Sequence, residues 1–220
     1  MEHEAVSPVV GVMLMMALAV ILAAVVSAFA GGFGNDMRKA PDVSIRVQTG
    51  YAAPYDGSNY DISLEHLGSD PIQTKDIEII TWLELANGTE VWHKQLPSSP
   101  CIRVSGDDYA RLPYISDPQK FGAAPFNTTA EIDGGDTNGA WFGEVTWMPG
   151  QVARTCNLEA TAALLGLVPD DDIYPADDTA YADGADLLEE CIDAHTTVEI
   201  KILHRPSGMI IYDEEIVLRE

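Results

Sequence analysis

The sequence predicts an α+β chain, with a long N-terminal hydrophobic α-helix followed by an antiparallel β-rich, sandwich-like head domain. Three observations predict it. No ionisable side chain occurs between Val6 and Gly34. From Asp42 onward apolar and polar residues alternate with the two-residue period of half-buried strands. Asn-Gly and Pro-Ser-Gly turns then punctuate the alternating segments, as in hairpins. The helix is read at 6–34 and the head at 35–220, with a loop and helical acidic insertion at about 150–195.

The apolar run is long enough to span a bilayer. A hydrocarbon core about 30 Å thick needs roughly 20 helical residues at about 1.5 Å each. Ser7 can cap the first turn, and Pro8 suits the first helical position because it has no N–H to leave unpaired. Gly31, Gly32 and Gly34 are expected to end it. Ala19, Ala23, Ser27 and Gly31 recur every fourth residue, with Ala24 and Ala28 alongside. Small residues at that spacing let helix backbones approach closely where lipid removes the hydrophobic drive to associate. A single-pass anchor with incidental alanines gives the same pattern.

In the head, Val43, Ile45 and Val47 alternate, as do Ile62, Leu64 and His66; Ile77, Ile79, Trp82 and Leu85 continue with slippage. Asn87-Gly88 marks a hairpin between ITWLEL and EVWHKQL. Pro97 to Pro125 reads as connection with one short strand, and Trp141 to Met148 as another strand. Asn157 can cap a short helix that Gly166 ends, and Ala185 to Asp193 forms a second. The acidic stretch between them reads as an exposed insertion. Val198, Ile200 and Ile202 lead to His204, a Pro206-Ser207-Gly208 turn, and the returning MIIYDEEIVL.

Charge limits the partners. With 12 Lys+Arg against 35 Asp+Glu the formal net charge is -23, so no basic patch is visible for nucleic acid. The acidity reads as a solvated, self-repelling surface. Three cysteines without a CxxC allow at most one internal disulfide, for which Cys156 and Cys191, flanking the acidic stretch beside helical patterns, are favoured. In the loop-entropy model such a bond contributes roughly 3 to 4 kcal/mol. Asn87 and Asn127 stand in Asn-x-Thr sequons, glycan acceptors if the head faces outward.

Signs of chemistry are sparse. Asp133, Asp136 and Asn138 place three oxygen ligands on one loop, as hard cations prefer, but without the EF-hand spacing; a solvated loop is the plainer reading. The histidines at 66, 93, 195 and 204 lack HExxH spacing, and no GxSxG, GxGxxG or P-loop pattern occurs. Neither catalysis nor a cofactor is predicted.

The segment AVSPVVGVMLM at 5 to 15 resembles the N-terminal signature of archaeal type IV pilins, and the likeness runs over residues 5 to 34. Within the head, EHLGSDPI at 65 to 72 is similar to the family's His-Gly-Gly-Asp type turn, and KILHRPSGMIIYDEEI at 201 to 216 to its closing hairpin. The resemblance implies a leader at 1–5, removed by a prepilin peptidase between Ala5 and Val6. The helix would stay on the mature subunit, which waits in the membrane with its head outside until assembly machinery draws it into a filament among copies of itself. Surface adhesion is the implied use, and a swimming filament the nearest variant.

Two features depart from the pattern. MEHEA has no Lys or Arg, while Arg38 and Lys39 follow the helix, opposite to a plain positive-inside reading. The fifth mature position, glutamate in bacterial type IV pilins, is Val10 here, so assembly would rest on apolar packing. Two other readings stay open. A secretory cut after Ala28-Phe29-Ala30 would release a soluble protein, and an anchored extracytoplasmic binding domain would never polymerise.

Overall fold

The computed structural model describes residues 8–32, 39–51, 60–105, 108–116, 142–155, 157–173 and 177–219. The chain divides into two compact units, Met1–Lys39 and Ala40–Glu220. The first contains α1 (Pro8–Gly32), 25 residues long. Ser7 and Gly34 lie outside the described residues, and Gly31 and Gly32 are still helical rather than terminating. An apolar segment satisfies its backbone only by internal hydrogen bonds, which outweighs the loss of about 1 kcal/mol that a helical glycine brings.

Among the described residues, the second unit holds two four-stranded antiparallel sheets. In one, the order is β1 (Ile45–Tyr51), β2 (Tyr60–His66), β10 (Val152–Arg154) and β8 (Tyr114–Ser116). In the other it is β12 (Met209–Val217), β11 (Thr197–His204), β4 (Ile77–Glu84) and β5 (Glu90–Gln95). The hairpins predicted at Asn87-Gly88 and at Pro206-Ser207-Gly208 are both present. Two small ladders pair β3 (Ile72–Gln73) with β9 (Thr146–Trp147), and β6 (Ile102–Ser105) with β7 (Asp108–Ala110).

Along β4 the expected slippage does not occur. Ile77, Ile79, Thr81 and Leu83 turn inward in strict alternation, and Trp82 faces out. Thr81 holds the inward place because its hydroxyl donates to the Leu164 carbonyl at 3.1 Å. The strand predicted from Trp141 to Met148 shrinks to β9, since Thr74 replaces the missing ladder. Its hydroxyl accepts from the Gly143 and Val145 N–H groups and donates to the Val145 carbonyl. The loop expected before Pro125 contains β6, β7 and β8.

Helices complete the core. Asn157 caps α2 (Leu158–Leu164), accepting from the Ala160 N–H at 2.7 Å. Gly166 ends it at φ 81, where a Cβ would lie 2.9 Å from His93 Cβ. After α3 (Asp170–Ile173), α4 runs Asp178–Asp193 with Asp177 as its cap. It thus begins inside the stretch expected to be an exposed insertion. That stretch instead buries Val168, Ile173, Tyr181 and Ala185, because Gly184 lets α4 approach so closely that a Cβ would meet Val168 at 2.7 Å. The charges lie on α4's outer side while Tyr181, Leu188 and Ile192 face the core.

One buried polar network ties α2 to the first sheet. Asp61, 3 % exposed, accepts from Arg154 and from both the N–H and the hydroxyl of Thr155. The Thr155 hydroxyl in turn accepts from the Ile62 N–H and meets the Thr161 hydroxyl, which contacts the Tyr60 carbonyl. Removing one partner of a buried pair leaves the other uncompensated, at about 3–5 kcal/mol. Asp61→Ala is therefore expected to lower unfolding free energy by about 3 kcal/mol, measured by denaturant titration of the detergent-solubilised chain.

Burial and the neighbouring Glu214 carboxylate push the Tyr212 phenol up to about 12. The fold favours the neutral phenol, so its contribution is whole below pH 10 and is lost as pH rises from 10 toward 12. About two pH units correspond to roughly 2–3 kcal/mol. Melting temperature followed across that range should fall less steeply in Tyr212→Phe than in wild type. Tyr60, also raised by burial, should leave a residual slope.

Candidate functional site: an uncovered helix and an open sheet face

Helix α1 offers its own surface as the candidate site. Val9–Ser27 is long and apolar enough to cross a membrane, and none of it is buried within the chain. These 19 residues extend about 28 Å, close to the thickness of a hydrocarbon core. Side chains at consecutive positions are open, Leu14 at 71 %, Met15 at 76 % and Met16 at 68 %, so the apolar surface runs round the whole helix. A helix apolar on every side belongs in lipid or in a core made by other chains.

The stripe of small residues is part of that surface. Ala19, Ala23, Ala24 and Ser27 are all exposed on α1, and a Cβ on Gly11 would meet nothing within 4 Å. Ala28 is helical, but its side chain lies outside the described residues. Ala5, Val6, Asn127, Cys156, Asp133, Asp136 and Asn138 also lie outside them. The pairing of Cys156 with Cys191 therefore falls on a residue that is not described. Cys191 is a buried free thiol in this structure, its pKa raised by burial. Asn87 is exposed on its turn, where its side-chain oxygen accepts from the Thr89 N–H at 2.8 Å.

Three of the described histidines, His66, His93 and His204, are separately engaged in structural bonds, while His195 is exposed on its turn. His66 is fully buried, with Nε2 2.8 Å from the Asp70 carbonyl, Nδ1 accepting from the Gly68 N–H, and its ring edge-on to Trp147. Gly68 is required there, since a Cβ would lie 2.6 Å from the Ser44 nitrogen. His93 meets Gln95 and Asp170, and His204 meets Ser207. No group of three His, Cys, Asp or Glu side chains suited to a metal occurs among the described residues.

Sequence reading missed the outer face of the second sheet. Trp82 and Trp92 are cross-strand partners on it, 37 % and 65 % exposed. Beside them Trp82, Glu84, Thr197, Glu199 and Glu215 line an open cleft of about 510 Å³. The signal lay in the hairpin register: once Asn87-Gly88 is the turn, Val91, His93 and Gln95 share one face and Trp92 must take the other.

Residues 4–45 match the model of the archaeal type IV pilin N-terminal region. An uncharacterized protein of Archaeoglobus fulgidus is 40 % identical over 91 residues, covering 41 % of this chain and 57 % of that protein. The match thus spans little more than half of that relative's length. No solved structure matches the chain. The matched residues, which include the whole of α1, carry the chain's similarity to the archaeal type IV pilin N-terminal region.

Proposed function

We propose that the chain is the structural subunit of an archaeal type IV pilus-like surface filament used in adhesion. The observation that carries this reading is α1, apolar around its whole circumference and exposed from Val9 to Ser27. In the membrane lipid covers it; in a filament, helices of neighbouring copies do. Removal of residues 1–5 between Ala5 and Val6 would free the subunit for assembly. The head, with Asn87 exposed for a glycan, would form the outer sheath. The pilin family is structural, which fits a head whose His66, His93 and His204 are each held in structural bonds.

N-terminal sequencing of protein from native membranes or shed filaments is expected to begin at Val6. A start at Gly31 would instead mean a secreted soluble protein, and an intact Met1 without filaments a tethered domain.

Close helix packing has its own test. Ala23→Leu with Ser27→Leu adds bulk to the small-residue stripe without touching the head. Filament yield should drop to background while the head's melting transition is unchanged. Normal filaments from this variant would remove the stripe from the assembly surface.

A further inference from the structure

The two ends of the second sheet differ in charge, and each exposes apolar surface. Strand β4 runs from Ile77 to Glu84, and β11 returns beside it with His204 paired to Ile77. At the turn end of β4 stand the exposed carboxylates of Glu84, Glu90 and Glu215 with the Trp82–Trp92 pair. None of those three has an ion-pair partner among the described residues. Lys75 and Arg205 lie exposed at the opposite end, joined through the Arg205 N–H donating to the Asp76 carbonyl. Met209 and Ile210, 57 % and 51 % exposed, continue the same hairpin tip.

In a chain where carboxylates outnumber cations 35 to 12, a cation without a partner stands out. Arg46, Lys94, Arg111, Arg154 and Lys201 are each paired with a carboxylate inside the head. Lys75 and Arg205, like Lys39 and Arg219, have no such pair among the described residues, and Lys75 and Arg205 share one end of the sheet. A guanidinium is well suited to an indole face rimmed by carboxylates, where it stacks and donates hydrogen bonds together.

We infer that the basic hairpin tip of one head, Arg205 with Lys75, docks into the acidic tryptophan cleft of the next copy. Either end repels its own like, so the contact is head-to-tail. Such a contact leaves both outer ends open and repeats along an assembly rather than closing it. Met209 and Ile210 would cover Trp92, whose exposure on an isolated head is otherwise unexplained. The inference rests on the reading that the chain polymerises, and adds to the helix core a second, polar contact that sets the order of the heads.

The test uses filaments grown from equal amounts of isotopically light and heavy full-length chain, treated with a carbodiimide that joins lysine amines to touching carboxylates. Links from Lys75 to Glu84, Glu90 or Glu215 between light and heavy copies are expected. Within one head, β4 sets the Ile77 end roughly 23 Å from the Glu84 and Glu90 row and roughly 17 Å from the Glu215 row, too far for such a link. In parallel, Lys75→Glu with Arg205→Glu should cut filament yield at least tenfold. Adding Glu84→Lys and Glu215→Lys should restore it, with folding of each variant checked by circular dichroism.

Filaments from wild type without these links, together with undiminished yield from the doubly reversed variant, would overturn the contact and leave the filament reading intact. Links from Lys75 to a different protein would overturn the second copy as occupant. No filaments from processed wild type would sink the filament reading itself.

Discussion

An apolar helix with no covered side cannot rest in water. From Val9 to Ser27 the side chains of α1 turn outward in every direction, and all of them are exposed. At about 25 cal/mol per Å² of apolar surface, transfer of such a rod into lipid or among other rods dominates every other term in its placement. The helix itself is built for that requirement. The helix carries no charge to pull it out of an apolar medium, and its backbone is bonded internally through two glycines that would otherwise end it.

The head solves a different problem, which is to be stable while very acidic. Several of its cations are deployed against particular carboxylates: Arg154 on buried Asp61, Lys94 on Glu78, Lys201 between Glu199 and Asp213. The remaining acid is left on exposed faces such as the outer side of α4, where water screens it. Hydroxyls do much of the internal joining. Thr74, Thr81, Thr155 and Thr161 each bridge elements distant in sequence, and each buries a donor with a partner. Glycines at 166 and 184 set how near the helices come.

How far the sequence reveals this depends on whether a feature is local. The apolar run, both hairpins and the Asn157 cap are local, so composition, period and turn chemistry disclose them. Pairing across the chain is not. Nothing near Thr81 signals that the Leu164 carbonyl will meet it, so its inward place was read as slippage. The acidic stretch misleads for a similar reason. Its net charge hides Tyr181, whose helical spacing with Ala185 and Leu188 marks a buried face only when α2 is there to receive it. The small-residue stripe was visible because α1 is regular; the tryptophan face was missed because it depends on which side of a hairpin counts as inside.

The turn carrying Asn87 adjoins Leu85 and Ala86, which help line the tryptophan cleft. An attached oligosaccharide and a neighbour's hairpin would therefore compete for the same volume. On those two proposals together, glycan occupancy at one asparagine would set how many heads remain free to engage, without any change of sequence.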